Sequence, residues 1–209
     1  VTLGDAVDID TTGGSAGDIL FSAAIATGGN NLTLDAGAGG NITLSGALTG
    51  GGAMTVRDGK VQSYQALTVG SLTISDATTS VTTGGALTSS GAVNVTSGGS
   101  IVFNGTASST ALTLNANTGV TFNQNVTSNG TTTIDTDVDN NGAGDFTLAS
   151  SRVFTTTNNA LQITANDIDL SGTSLTSGSA AMTLLVSESG GTIGIGDTAG
   201  GLHISKAEL

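Results

Sequence analysis

The chain of 209 residues contains no cysteine, no proline and no tryptophan. Without cysteine there is neither a disulfide scaffold nor a thiolate metal site. Aromatic residues make up only 3%, so the largest side chains of an ordinary thick core are scarce. Basic residues are scarce too: Arg57, Lys60, Arg152 and Lys206 face 16 acidic residues, for a net charge of −12. Such a chain cannot neutralise a row of phosphates, which excludes nucleic acid and disfavours anionic membrane surfaces. No apolar run approaches the roughly 18 residues of a membrane span, so no membrane insertion is expected. Position 1 is Val and no charged-then-apolar leader follows, so any export signal is expected outside this chain.

What is abundant is small and polar. There are 33 glycines, and Thr, Ser and Asn are frequent. Disorder is nevertheless not expected, because 37% of the residues are hydrophobic and the mean hydropathy is +0.22. The apolar residues fall into short alternating triplets such as Leu32-Thr33-Leu34, Ile42-Thr43-Leu44, Leu72-Thr73-Ile74, Val93-Asn94-Val95, Leu112-Thr113-Leu114 and Val120-Thr121-Phe122. Alternation with period two marks a strand, with the middle residue facing away from the core. Gly, Asn, Ser and Asp fill the gaps, as turns require. No segment of helical spacing is long enough to count.

The triplets recur. One set starts at Ile42, Val61, Val81, Ile101 and Val120, a second at Leu48, Leu67, Leu87, Thr106 and Val126, and a third at Leu32, Met54, Leu72, Val93, Leu112 and Thr132. All three step by about 20 residues. Three strand phases sharing one period predict an all-β parallel β-helix, a β-solenoid with three short strands per coil. Coils stack about 4.8 Å apart, so about ten coils make a rod of roughly 45–50 Å. Such an interior is narrow and is expected to hold stacked Val, Ile, Leu and Ala ladders. Predicted inward residues are Leu32, Leu34, Ile42, Leu44, Leu72, Ile74, Val81, Val93, Val95, Ile101, Phe103, Leu112, Leu114, Val120, Phe122, Leu161, Ile163, Ile168 and Leu170. Absence of proline agrees with uninterrupted ladders.

A longer repeat lies over the coil repeat. Ile9-Asp10-Thr11, with Gly17-Asp18-Ile19-Leu20-Phe21, returns as Ile134-Asp135-Thr136, with Gly144-Asp145-Phe146-Thr147-Leu148. Ile42-Thr43-Leu44-Ser45-Gly46 returns as Ile168-Asp169-Leu170-Ser171-Gly172, and Ala53-Met54-Thr55-Val56 as Ala181-Met182-Thr183-Leu184. The offset is about 126 residues. The expected organisation is one solenoid segment, 1–209, holding one copy over 9–133, a partial copy over 134–209 and an excursion over 131–145.

These motifs, the Leu-Thr-Leu strands and the closing Ile204-Ser205-Lys206-Ala207-Glu208-Leu209 resemble large secreted bacterial exoproteins of the filamentous-haemagglutinin type. The resemblance implies a right-handed coil, in line with the general bias of parallel crossovers. It also implies export by a two-partner or autotransporter route, an extracellular or outer-cell-surface location, and a role as an adhesin or surface fibre. Expected partners are further repeats or a second copy stacked end to end, and a host or surface glycan or protein.

One local motif suggests a ligand. Asp137-Val138-Asp139-Asn140-Asn141-Gly142, preceded by Asp135 and followed by Asp145, has the spacing of the first half of a calcium loop. Leu148 stands where an EF-hand carries its bidentate glutamate, which excludes that motif. The candidate calcium ligands are Asp135, Asp137, Asp139, Asn141 and Asp145; the alternative is a solvated acidic turn.

Support for catalysis is thin. The sole histidine, His203, lies in the middle of a predicted strand and is expected to face solvent. Asp167 and Asp169 bracket Ile168 and are expected to point outward together. The reading is a non-catalytic rod. The alternative is a carbohydrate-active β-helix enzyme or polysaccharide-binding module, whose groove would hold Asp167, Asp169 and the single tyrosine, Tyr64.

Overall fold

The computed structural model describes residues 1–13, 16–170, 174–206 and 208. The parts of the long repeat at 14–15 and 171–173, and the closing positions 207 and 209, lie outside the described residues. Among those described there is no helix.

The chain winds a β-solenoid of about 8 turns at roughly 20 residues per turn. Coil one runs β1 (Val7–Asp10), β2 (Ile19–Phe21) and β3 (Ile25–Ala26). Coil two runs β4 (Leu32–Asp35), β5 (Ile42–Leu44) and β6 (Leu48–Thr49). Coil three runs β7 (Ala53–Val56), β8 (Gly59–Tyr64) and β9 (Leu67–Val69). In coil four, β10 (Ser71–Thr83) supplies two faces in one strand and β11 (Leu87–Ser89) the third. Coil five runs β12 (Ala92–Ser97), β13 (Ser100–Phe103) and β14 (Ala107–Ser109). Coil six runs β15 (Ala111–Ala116), β16 (Val120–Phe122) and β17 (Val126–Ser128). Coil seven runs β18 (Thr132–Asp135), β19 (Phe146–Leu148) and β20 (Val153–Thr155). Coil eight runs β21 (Leu161–Ala165), β22 (Ile168–Asp169) and β23 (Ser174–Thr176). Then β24 (Met182–Val186) adds to the first face, while β25 (Ile193–Ile195) and β26 (Leu202–Ile204) form a separate parallel pair.

Every pairing between strands is parallel, and equivalent residues stack coil upon coil. On the first face Leu32, Met54, Leu72, Val93, Leu112 and Thr132 lie in register, as the spacing predicts. All nineteen residues predicted inward are buried. On the third face Thr68, Thr88, Ser108, Thr127, Thr155 and Thr176 form one outward column of hydroxyls. Among the described residues no charged residue occurs in a third-face strand.

Two registers differ from the sequence expectation. Val61 does not continue the Ile42 column: Ile42 pairs with Gln62 and Leu44 with Tyr64. Gln62 and Tyr64 are fully buried, and Val61 stands outside at 36% exposure. The two choices differ in what they bury. A tyrosine ring removes about 150–250 Å² from water, far more than a valine. Its polar end is matched, because Tyr64 OH donates to Gln62 Oε1 at 2.7 Å. Gln62 Nε2 in turn donates to the Asp76 carbonyl at 3.1 Å. Tyr64 is therefore a core residue and lines no surface groove. On the third face Ala107, not Thr106, pairs with Leu87 and Val126, which leaves the Thr106 hydroxyl in solvent.

The rod is shorter than ten coils because the residues after β24 leave the coil path. At about 4.8 Å per coil, eight turns span roughly 40 Å. The interior is also not purely aliphatic. Four of the five phenylalanines meet inside coils five to seven, where Phe103 stacks on Phe122 at 5.0 Å and Phe154 meets Phe122 edge-on at 5.3 Å. The corners are tight. A Cβ on Gly99 would lie 1.8 Å from the Thr79 carbonyl oxygen of the coil below, so only glycine fits there.

Candidate functional site

Excursions from the regular coil gather at the corner between the first and second faces. Residues 11–13 and 16–18 leave it after β1, and residues 136–145 after β18. The longer excursion begins later than 131, since Thr132–Asp135 is ordinary strand. The two are built alike. Thr11 Oγ1 donates to the Gly17 carbonyl at 2.6 Å, and Thr136 Oγ1 to the Gly144 carbonyl at 2.8 Å. At each strand end an aspartate turns the chain: Asp10 Oδ1 accepts from the Thr12 amide at 2.7 Å, and Asp135 Oδ1 from the Asp137 amide at 3.2 Å. Short Asx side chains favour such turns because they mimic a backbone carbonyl two residues on.

Asp137 organises the longer excursion from inside. Its side chain is fully buried. Oδ1 accepts from the Asn141 amide at 3.1 Å. Oδ2 accepts from the Gly142 amide at 3.1 Å and from the Ser187 hydroxyl at 2.6 Å. Turning the chain around one carboxylate needs left-handed backbone, and Asn140 and Gly142 supply it at φ 53° and 77°. Burial raises the Asp137 carboxyl, but the Ser187 hydroxyl and the Gly142 and Asn141 amides outweigh it and hold the group below the ordinary carboxylate range. Asp135 goes the other way: burial pushes it up, and the Asp137 charge adds to the rise.

The five candidate calcium ligands therefore have separate tasks. Asp135 and Asp137 accept backbone amides. Asn141 donates Nδ2 to Asp139 Oδ2 at 2.8 Å, at the exposed tip. Asp145 Oδ1 accepts from Asn166 Nδ2 at 3.0 Å, toward the next coil. Among the described residues no group of three or more acidic or histidine side chains is placed to hold a metal. Ser187, the closing donor, carries no local sequence signal: it lies 50 residues away.

The same corner is acidic along much of the rod. Asp35, Asp58 and Asp76 follow one another in coils two to four. Burial raises the Asp58 carboxyl, and the charges of Asp76 and Asp35 add to it. Asp58 Oδ1 is buried without a hydrogen-bond partner.

Asp167 and Asp169 do not form an outward carboxylate pair. Asp169 is exposed, whereas Asp167 Oδ1 accepts from the Ile168 amide at 2.8 Å and from the His203 amide at 2.8 Å. His203 is partly buried, with Nε2 3.0 Å from the Gly196 carbonyl oxygen. The residues suggested for a glycan groove thus serve the core (Tyr64) or the closing of the rod (Asp167). Comparisons with protein-family models, with curated proteins and with solved structures each found no match.

Proposed function

We propose that the chain is a structural and adhesive segment of a secreted or cell-surface bacterial fibre, a rod without catalytic activity. The observation that carries this reading is the stack of about eight coils, in which corner carboxylates and hydroxyls hold turns and coil-to-coil contacts. The corner carboxylates of Asp10, Asp35 and Asp135 hold turns. Corner hydroxyls do the same: Ser128 donates to the Gly130 carbonyl at 3.2 Å and Ser177 to the Ala180 carbonyl at 2.7 Å. The third face, uncharged and hydroxylated in a chain of net charge −12, is the surface suited to a neutral glycan or protein. Similarity of the repeat motifs to filamentous-haemagglutinin-type exoproteins supports the extracellular placement. The outer edges of β1 and β2 have no strand partner among the described residues, and such edges template the addition of another strand.

Electron microscopy together with a glycan panel tests the proposal. Rods that retain surface glycans or host proteins and release no sugar are the expected result. Sugar release from any polysaccharide would overturn it in favour of a carbohydrate-active enzyme.

A further inference from the structure

At the end opposite β1, the second face finishes on β22. A terminal strand of a parallel sheet presents a row of unpaired backbone groups, which template the addition of another chain. On β22 that edge is covered. Strand β26 packs against β22 and pairs in parallel with β25, Ile193 with Leu202 and Ile195 with Ile204. Leu202 is fully buried. Two carboxylates latch the layer to the rod: Asp167 Oδ1 accepts from the His203 amide, and Glu208 Oε1 accepts from the Leu170 amide at 2.7 Å. Glu208 Oε2 also accepts from the Ser205 amide at 2.7 Å, which closes the segment on itself.

This layer breaks the winding rule of the coils below. There, each later strand of a face lies one step farther along the axis. Here the later strand, β26, is the one against the rod, and the earlier strand, β25, lies beyond it. The chain climbs past the next level and returns.

The structure assigns residues 192–206, with Glu208, the role of a stop on head-to-tail assembly with a second copy of this chain. The complementary edge is β2. It pairs with β5 on one side and has no strand partner on the other among the described residues. Its Ile19 amide donates to the Asn41 carbonyl of coil two, so alternation leaves the Leu20 amide on the free side. Leu20 is 66% exposed. A second copy's β2, of the same face and the same polarity, would add to β22 where β26 now lies. Such a contact is heterologous and does not close, so it would propagate into a fibre unless one end is covered.

Sedimentation velocity over a concentration series tests this on the full chain. The wild type is expected to remain a single species. The double variant Leu202→Asp/Glu208→Ala puts a charge into the buried layer and removes a latch. It should show a weight-average mass rising about two-fold or more with concentration, as propagating contacts require. Hydrogen exchange on the same sample should show residues 192–206 released while the coils stay protected. Adding Leu20→Pro removes the free-side amide of β2 without touching the Ile19 bond, and should restore the single species. If the double variant unfolds the coils, Glu208→Gln alone keeps Leu202 packed, loosens one latch and should give weaker assembly of the same kind. A released layer on a rod that stays a single species would overturn the proposal. So would assembly that survives Leu20→Pro, or a wild type that assembles with the layer still protected.

Discussion

Ser187 donates its hydroxyl to Asp137 Oδ2 at 2.6 Å across a sequence separation of 50 residues. The bond joins the residue just after β24 to the excursion two coils below, and it completes the set of donors around a buried carboxylate. Ser187→Ala should cost about 1.5–3 kcal/mol, the range for a hydrogen bond to a charged group. Asp137→Ala should cost more, because the Asn141 and Gly142 amides lose their acceptor as well. Urea unfolding of the two variants measures the difference. Equal stability with the wild type would show that the contact does no structural work.

The same carboxylate makes the excursion sensitive to acid. Asp137 is held below the ordinary carboxylate range, so its stabilisation is fully present above about pH 4 and is lost as pH falls through its lower folded value. The stability gap between wild type and Asp137→Asn should be constant from neutral pH down to about pH 4 and shrink below it. Asp135, raised by burial, contributes the opposite slope. Thermal unfolding of both proteins at stepped pH separates the two.

Calcium offers a direct check on the loop. Asp137 is already satisfied by two amides and a hydroxyl, and Asp139 by Asn141. Millimolar calcium should leave the melting temperature within error of a chelated sample. A rise that grows with calcium concentration would mean that these oxygens exchange their donors for a cation.

Stacked like charges on the acidic corner should cost stability. Asp58→Asn removes the middle charge between Asp35 and Asp76 and should stabilise the rod by ~0.2–1 kcal/mol, the scale of interactions between exposed charges. The gain should fade in high salt. A loss of stability on substitution would show that the Asp58 carboxylate holds the corner rather than straining it.

Core packing gives the largest expected effects. Phe122 touches Phe103, Phe146 and Phe154, so Phe122→Ala should cost about 3–5 kcal/mol. Gly99→Ala, whose Cβ would lie 1.8 Å from the Thr79 carbonyl oxygen, should cost about 1–3 kcal/mol by overpacking. Equilibrium unfolding with coincident probes tests both.

The coil period was legible because stacking forces equivalent residues to the same face every 20 residues or so, and the first-face column from Leu32 to Thr132 shows it without interruption. Register at β8 was not legible locally. Val61 is more apolar than Gln62, and the outcome turned on Tyr64, whose ring fills the interior and whose hydroxyl finds Gln62. The acidic excursion was visible as a turn-rich break in the period. Its closing donor, Ser187, was not, since nothing in an isolated serine indicates a partner two coils away. The closing layer carries no local signal of its own either: Ile193-Gly194-Ile195 and Leu202-His203-Ile204 have the alternation of ordinary coil strands, and only the packing of the later one, β26, against β22 distinguishes them.

The pairing of every coil with its neighbours has a mechanical consequence. The bonds between coils run along the rod axis, so tension applied between the two ends opens them one layer at a time rather than shearing many together. Each released coil of about 20 residues yields roughly 60–65 Å of slack beyond its 4.8 Å rise. A rod of this kind resists bending while it holds, and under a sudden pull it lengthens in discrete steps that dissipate the force.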